Sequence, residues 1–318
     1  MGPSPRSRKI LKTTLAGCLT CLLSPPGQAQ TTKTKVPKAP VAAAPAAHDC
    51  GEGVTLRLTG SSVQQGGLLE LTLAATGPVT KIRADWASSA LPFWEDDAGL
   101  HHALVGVDLE RAPGKYDLSI TGQLASGAKL TCSAQVDVKA GQFAIESLKV
   151  APEYVEPNPE ERARADKESQ RIHEIFATTT PERLWAGKFR MPLDGNKTGH
   201  NFGKRRVLNG KPMSPHTGLD ISAPAGTPIH VAQRGRVVLA DNLFFSGNTV
   251  IVDHGLGVYT FYGHMKSINV AEGDDVNAGA VVGKVGATGR ATGPHLHWTL
   301  VVDGARVNPL GIVWLGPR

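Results

Sequence analysis

The amino-acid sequence predicts a mainly β protein in which two strand-rich regions are joined by one helix. Glycine (36 residues) and proline (22 residues) are plentiful and only 19% of the residues are charged, so short apolar runs alternate with turn residues. A chain of 318 residues is long enough for two domains that each bury a core. Only the segment 157–178, in which charges cluster ahead of a few apolar residues, has the pattern of a convincing helix.

The first 29 residues have the pattern of a secretory signal peptide. Four basic residues precede an apolar stretch at 13–24 that is too short to span a bilayer. Gly27 and Ala29 supply the small residues of a cleavage site, so we expect the mature chain to begin near Gln30 in the periplasm or outside the cell. The alternative is a lipoprotein attached through Cys18, although the apolar segment before that cysteine is short.

The charge of the exported chain argues against a nucleic-acid partner. The full sequence has a formal net charge of +6, and removal of the leader, which has four basic and no acidic residues, lowers it to +2. Residues 30–47 are rich in proline, alanine and threonine and predict an extended linker. We therefore expect an exported protein with no membrane span and no nucleic-acid partner.

Residues 48–150 form the first predicted domain. Segments such as 68–73 alternate apolar and polar residues between glycine-rich turns, which predicts a small β-sandwich. The stretch 112–118 resembles the turn and tyrosine that enter a late strand of immunoglobulin-like domains, where the ring of Tyr116 would anchor a corner. The prediction for this region is therefore an immunoglobulin-like β domain.

The cysteines predict one disulfide. Cys18 and Cys21 leave with the leader, so Cys50 and Cys132 remain as the only possible pair of the exported chain. Their bond would close a loop of about 80 residues. Two free buried thiols are the alternative, which an oxidising compartment disfavours.

Residues 151–183 are predicted to be a connector that contains the helix, and residues 184–312 to be a second, strand-rich domain. The helix contains His173 and Glu174, which begin an HExxH-like pattern, but position 177 is alanine. The second ligand of that helical zinc motif is therefore missing.

Five side chains of the second region can converge on one site. His216 and Asp220 are four residues apart, and Pro215 and Gly218 argue against a helix, so the pair should meet across a turn that enters a strand. His295 and His297 would share one face of a strand while the leucine between them faces the core. His264 lies on a third segment. Imidazole and carboxylate groups suit zinc, but spacing alone leaves open which three of the five would bind it.

Four motifs in a fixed order resemble the lysostaphin/LytM-type zinc metallo-endopeptidases. They are NFG at 201–203, HTGLD at 216–220, YGHM at 262–265 and GPHLH at 293–297. The similarity extends from about residue 184 to residue 310 and implies a C-terminal antiparallel β LytM-type peptidase domain. An HxGxD segment alone would be weak evidence, whereas four motifs in order are specific.

The resemblance assigns roles to the five candidates. It implies that His216, Asp220 and His297 bind one Zn²⁺ per chain, and that His264 and His295 are catalytic. One histidine would deprotonate the zinc-activated water and the other would stabilise the oxyanion, in an order that the resemblance leaves open. The implied activity is hydrolysis of peptide cross-links or stem peptides in bacterial peptidoglycan.

Two other functions stay open at this level. Some proteins with this domain have lost metal ligands and activate cell-wall amidases, and a wall-binding module with a structural zinc is a further possibility. The upstream β domain resembles domains that precede some of these peptidases, and it could cover the site. The favoured interpretation of His101 and His102 in this domain is an exposed pair without a chemical role. His200, His230 and His254 are expected to be structural.

Overall fold

A computed structural model describes residues 46–195 and 201–315 of the chain. The predicted signal peptide at 1–29, the alternative lipid-attachment residue Cys18, most of the predicted linker and His200 lie outside these described residues. Within them, strands far outnumber helical residues, which confirms the mainly β prediction. None of the described helices is long and apolar enough to cross a membrane.

The N-terminal half forms two five-stranded sheets. Their orders are β1-β2-β4-β8-β7 and β3-β10-β9-β5-β6, with the strands β1 Ala46–Asp49, β2 Val54–Leu58, β3 Ser62–Gln64, β4 Leu68–Ala75, β5 Val79–Trp86, β6 Ser89–Leu91, β7 Trp94–Glu95, β8 His101–Gly106, β9 Gly114–Leu124 and β10 Lys129–Lys139. Neighbours run antiparallel except β3 and β10, which are parallel. The strand Ile145–Leu148, β11, pairs elsewhere.

The two N-terminal sheets enclose one apolar core. Alternate residues of β2, β4 and β8 face alternate residues of β5, β9 and β10 in a single cluster of buried side chains. Cys50 and Cys132 are joined by a disulfide, so a link from the end of β1 to β10 ties the two sheets together. The Tyr116 hydroxyl donates to the Ala112 carbonyl at 2.8 Å, the kind of bond expected of an anchored corner. The β-sandwich is observed, and its immunoglobulin-like character stays a prediction.

The predicted helix is present as α1, Pro159–Ala177. Its start follows from the sequence: the Asn158 side chain accepts from the Glu161 backbone N–H while the Glu161 side chain accepts from the Asn158 N–H, and Pro159 occupies the first turn. A short 3₁₀ turn, Pro152–Tyr154, precedes it.

The C-terminal half is built on one nine-stranded antiparallel sheet, with a short helix α2, Leu310–Trp314, at its end. The strands that follow α1 are β12 Arg205–Leu208, β13 Lys211–Pro212, β14 Leu219–Ser222, β15 Pro228–His230, β16 Gly235–Leu243, β17 Gly247–Asp253, β18 Val258–Ile268, β19 Asp275–Val276, β20 Val281–Val285, β21 His295–Val302 and β22 Ala305–Val307. The main order is β14-β21-β18-β17-β16-β19, while β15, β20 and β22 pair beside it. A separate three-stranded sheet, β11-β12-β13, lies outside this path.

The two faces of the large sheet have different neighbours. On β21, Leu296, Trp298 and Leu300 are fully buried in the main apolar core, which also contains Trp185 and Phe189. The residues between them face the other side, because side chains alternate along a strand. Helix α1 covers part of that side through a small apolar cluster, in which the Phe176 ring lies 5.5 Å from the Tyr259 ring. The helix of the predicted connector therefore forms a layer that packs on the C-terminal sheet.

The N-terminal sandwich and the C-terminal sheet contact one another directly. The Arg306 guanidinium on β22 makes two hydrogen bonds to the Asp108 carboxylate, at 2.8 and 3.0 Å, and a third to Glu110. Trp94 of β7 packs edge-on against Trp185, with 5.5 Å between the ring centroids. A fork-shaped ion pair and a shared aromatic contact thus fix β7 and the segment after β8 against the C-terminal half.

The disulfide should stabilise the fold by restricting the unfolded chain. Because it links residues 82 positions apart, we expect replacement of both Cys50 and Cys132 by serine to lower the free energy of unfolding by about 2–4 kcal/mol. Denaturant unfolding followed by tryptophan fluorescence measures this difference, with reduction of the unmodified protein as a second route to the same state. An unchanged transition midpoint would contradict the expectation.

Candidate active site

The strand pairing brings the predicted metal ligands together. β14 and β21 are antiparallel, and their register sets Asp220 directly opposite His297. Side chains at directly opposed positions emerge on the same face, so the carboxylate and the imidazole meet. His216 precedes β14, and its backbone N–H donates to the Lys204 carbonyl at 2.9 Å, which holds the ring over the other two. The turn predicted between His216 and Asp220 thus leads into a strand.

Three candidate ligand atoms form a nearly equilateral triangle. His216 Nε2 lies 2.9 Å from His297 Nδ1 and 3.0 Å from Asp220 Oδ1, and His297 Nδ1 lies 2.9 Å from Asp220 Oδ1. Three atoms about 3 Å apart can all lie about 2 Å from one point, which is the bond length of zinc to nitrogen and oxygen ligands. Within the described residues this is the one group of histidine, cysteine and acidic side chains close enough to hold a metal ion.

Neighbouring groups orient each ligand. The other ring nitrogen of His216, Nδ1, lies 2.9 Å from the Asn201 carbonyl, and that of His297, Nε2, lies 3.0 Å from the Thr299 hydroxyl. If each of these nitrogens has the hydrogen and donates it, the nitrogen that faces the triangle has a free lone pair, as a metal ligand requires. The second carboxylate oxygen of Asp220 accepts from the Arg206 guanidinium at 2.7 Å. The donor set therefore fits zinc in atom type, distance and tautomer.

The protonation states also suit a cation. Burial lowers the pKa of His297 to about 4, so its ring is neutral near pH 7. Burial would raise the pKa of Asp220, but its close contacts with His216 and His297 outweigh burial and hold that pKa far below its usual range. Near neutral pH the site therefore offers the Asp220 carboxylate and the neutral imidazole of His297 as metal-binding groups.

The two remaining candidates, His264 and His295, lie beside the triangle. The ring of His264 is 4.8 Å from that of His295 and 5.9 Å from that of His297, and His295 Nε2 is 3.7 Å from Asp220 Oδ1. His264 Nδ1 lies 2.8 Å from the Thr288 carbonyl, and His295 Nδ1 lies 2.8 Å from the Gly293 carbonyl. Because a carbonyl only accepts, both Nδ1 atoms have hydrogen, and in a neutral ring the Nε2 atom is then the acceptor.

The backbone at His264 is unusual. Its φ is +60°, a value uncommon outside glycine, and its N–H donates to the Ser246 carbonyl at 2.7 Å. The ladder between β17 and β18 shifts register between Asn248 and Val250, so the residue lies at a bulge. Bulges redirect side chains at the rims of sheets. Burial lowers the pKa of His264 to about 3, which keeps its ring neutral.

An open groove of about 320 Å³ lies in front of these groups. Arg206, Asp220, His264 and His295 contribute to its lining, together with the loop 290–294. One wall is β11, which pairs in parallel with β12, and Glu146 of β11 bonds to the Lys204 ammonium at 2.6 Å. The chain that leaves the N-terminal sandwich therefore borders the groove.

Other histidines have structural surroundings. His254 is fully buried between the Arg234 carbonyl and the Thr260 hydroxyl, and His230 bonds to the Gly279 carbonyl. The expectation of an exposed pair at 101–102 is wrong for His102, because this ring is buried between Glu70 at 2.9 Å and Asp96 at 3.0 Å. His102 shares a strand face with Leu104, which belongs to the C-terminal core, and its ring stacks on that of Trp94 at 5.3 Å, so this face of β8 is covered by neighbouring residues.

Two residues of the site were not predicted. Thr299 follows His297 by two positions on one strand face, so strand alternation is a signal that could have found it. No such sequence signal exists for Arg206, because its contact with Asp220 depends on how the small sheet that contains β12 is placed relative to β14.

Known proteins match this region. The model of peptidase family M23 matches residues 214–309. The peptidoglycan DD-endopeptidase ShyA of Vibrio cholerae is 40% identical over 123 residues, 38% of this chain and 29% of that protein. The DD-carboxypeptidase/endopeptidase Mpg of Neisseria meningitidis serogroup B is 42% identical over 103 residues, 32% of this chain and 24% of that protein.

A solved structure extends the match beyond residues 214–309. A crystal structure of a peptidase M23 protein from Pseudomonas aeruginosa is 30% identical, covers 78% of this chain and 94% of its own, and aligns with a TM-score of 0.61. The chain belongs to peptidase family M23. The matched region covers only 29% of the length of ShyA and 24% of the length of Mpg. The activities in their names therefore describe those two proteins. The lysostaphin/LytM-type resemblance is confirmed at the level of the family.

The contact between His297 and Thr299 offers a test of the metal-site geometry. We expect Thr299→Val, which removes the hydroxyl acceptor at similar volume, to weaken zinc binding about 10–100-fold, the usual effect of losing a partner of a ligand histidine. Thr299→Ser keeps the hydroxyl and serves as the matched control. Competition with a chromophoric chelator measures both affinities, and equal affinity for the valine and serine variants would contradict the expectation.

Proposed function

We propose that this protein is a zinc-dependent endopeptidase that hydrolyses peptide cross-links or stem peptides of bacterial peptidoglycan. His216, Asp220 and His297 would hold one Zn²⁺, and His264 and His295 would be the catalytic histidines. The observation that carries the proposal is the triangle of ligand atoms with two further imidazoles beside it at an open groove. The named activity of the Vibrio relative, a peptidoglycan DD-endopeptidase, supports peptidoglycan as the substrate, and the Neisseria relative is also named as an endopeptidase.

The chemistry can be assigned to the chain's own atoms. When bound, zinc polarises a water molecule and a peptide carbonyl, which is the Lewis-acid role of such metals. Either Nε2 atom, of His264 or of His295, can accept the proton that the attacking water loses, since both Nδ1 hydrogens are committed to carbonyls. A ring that has gained this proton can then donate a hydrogen bond to the oxyanion or pass the proton to the leaving amine.

The proposed function also bears on the cellular location and the domain organisation of the protein. We propose that residues 1–29 direct export, that 30–47 are a linker, and that 48–150 and 184–312 are domains joined by a connector at 151–183. Peptidoglycan lies outside the cytoplasmic membrane, so a wall-acting enzyme has to be exported. A disulfide between Cys50 and Cys132 suits an oxidising compartment.

The chief alternative is a protein that activates amidases without cutting peptides. In such relatives metal ligands are lost, whereas here all three ligand atoms are present and converge. A wall-binding module with a structural zinc is less well supported, because a structural site is usually closed by four protein ligands, whereas the described residues supply three, beside an open groove.

Digestion of isolated sacculi tests the proposal. We expect residues 30–318, loaded with zinc, to convert cross-linked muropeptides into monomers, and a chelator to stop the conversion until zinc is restored. Separation of muropeptides by liquid chromatography measures the ratio of dimers to monomers. An unchanged ratio, together with release of whole stem peptides only when an amidase is added, would support the activator function instead.

Two variants separate metal binding from turnover. We expect His297→Ala to lose zinc, and His264→Asn to keep one zinc per chain while turnover falls at least about 100-fold, since the proton acceptor is gone. Asparagine is chosen because it tolerates the positive φ of residue 264 better than alanine does. Elemental analysis of the purified variants gives the zinc content. Loss of zinc from His264→Asn would contradict the division between ligands and catalysts.

A further inference from the structure

A second cavity continues from the metal triangle, away from the groove. It has a volume of about 850 Å³, within the usual range of ligand sites, and we call it the α1 cavity. His297, Thr299 and Val301, successive outward residues of β21, line it together with Phe261 of β18. The ligand Asp220 faces the groove and the ligand His297 faces the α1 cavity. The metal triangle therefore lies between two spaces on one sheet face.

Three parts of the chain enclose the α1 cavity. The sheet forms its floor, helix α1 forms one wall with residues such as Ile172 and Phe176, and Ser89 and Asp108 of the N-terminal sandwich form another. This arrangement needs both halves of the protein. A substrate that extends beyond the metal triangle in this direction would therefore contact α1 and the sandwich.

One carboxylate at the end of the α1 cavity has an unsatisfied oxygen. Asp303 lies in the turn between β21 and β22, and its Oδ2 is buried without a hydrogen-bond partner among the described residues. Burial raises the pKa of Asp303 to about 7, the mark of an anion that lacks a counter-charge. The neighbouring cation, Arg306, is already bound to Asp108 and Glu110. A buried, unpaired acceptor is costly, so it is the kind of group that a ligand completes.

The charges around the α1 cavity favour a cationic ligand. Two carboxylates, Asp108 and Asp303, line the cavity with one guanidinium, that of Arg306, which is directed to Asp108 and to Glu110 outside the cavity. The apolar part of the lining, which includes Ile172, Phe176, Phe261 and Val301, suits the methylene groups of a side chain that ends in an amine.

We propose that the α1 cavity is a substrate subsite that takes a stem peptide with a primary ammonium group, and that this ammonium pairs with the Asp303 carboxylate. The inference rests on the proposed function, because it assumes a peptidoglycan peptide in the groove. It adds a specificity-determining residue 6 positions after the ligand His297. A stem peptide whose diamino acid has a free side-chain amine is the chemical class that fits.

Calorimetric binding of short peptides tests the subsite without any turnover. The probes are a stem tetrapeptide whose diamino acid has a free side-chain amine and the same peptide with that amine acetylated, titrated into the zinc-loaded chain 30–318. We expect the free amine to bind about 10-fold more tightly, as a partly buried ion pair can provide, and Asp303→Asn to bind both peptides equally. Equal binding of both peptides by the unmodified protein, or no binding of either, would overturn the proposal.

Controls separate this result from misfolding and from failure of the proposed function. Asp303 has a φ of +47°, which asparagine tolerates, so Asp303→Asn should melt at an unchanged or higher temperature. Asp97→Asn removes an exposed carboxylate from the loop after β7 and should keep the preference for the amine. Digestion of sacculi without amine preference would reject the subsite alone, whereas amine preference without zinc-dependent digestion would reject the peptidase function alone. Retained preference in Asp303→Asn would also reject the subsite.

Discussion

The register between β14 and β21 is the constraint on which the site depends. It sets Asp220 opposite His297, and a slip of one residue would turn the carboxylate and the imidazole to opposite faces of the sheet. That register is itself protected by the core: Leu296 and Trp298, which flank His297, are fully buried on the other side. Burial of the apolar face of β21 thus fixes the strand register, and the register in turn fixes the relative positions of the polar side chains on the other face.

The other two histidines of the site, His264 and His295, are positioned by a bulge and by loops next to the paired strands. His264 leaves the strand ladder at a bulge with a positive φ, and the carbonyl groups of Thr288 and Gly293 orient the imidazoles of His264 and His295. Backbone carbonyls supply these contacts, so side-chain substitutions in the loops leave them intact. The orientation of these two rings, which are proposed to be catalytic, therefore depends on the path of the backbone more than on particular neighbouring side chains.

The sequence predicted elements that depend on local chemistry or on a motif. Helix α1 could be predicted because Asn158, Pro159 and Glu161 form its start, and the two histidines of β21 could be placed on one face because strands alternate. The sequence could not predict that Phe176 packs on Tyr259, since that contact joins residues far apart in the chain. The burial of His102 and the approach of Arg206 to Asp220 were missed for the same reason: each depends on which strands become neighbours. The choice of ligands among five candidates came from resemblance, not from spacing.

Because α1 packs on the large sheet, the part of the chain that must fold together is longer than the part that contains the proposed reactive residues. All residues proposed to bind metal or move protons follow residue 200, yet Leu239, Ile251, Tyr259 and Val301 of the same sheet are kept from water by a cluster that includes side chains of α1. A fragment that began after the helix would expose this apolar face to solvent. Transplanting the reactive part of this chain into another protein would therefore require the helix to accompany it, or a new layer to replace it.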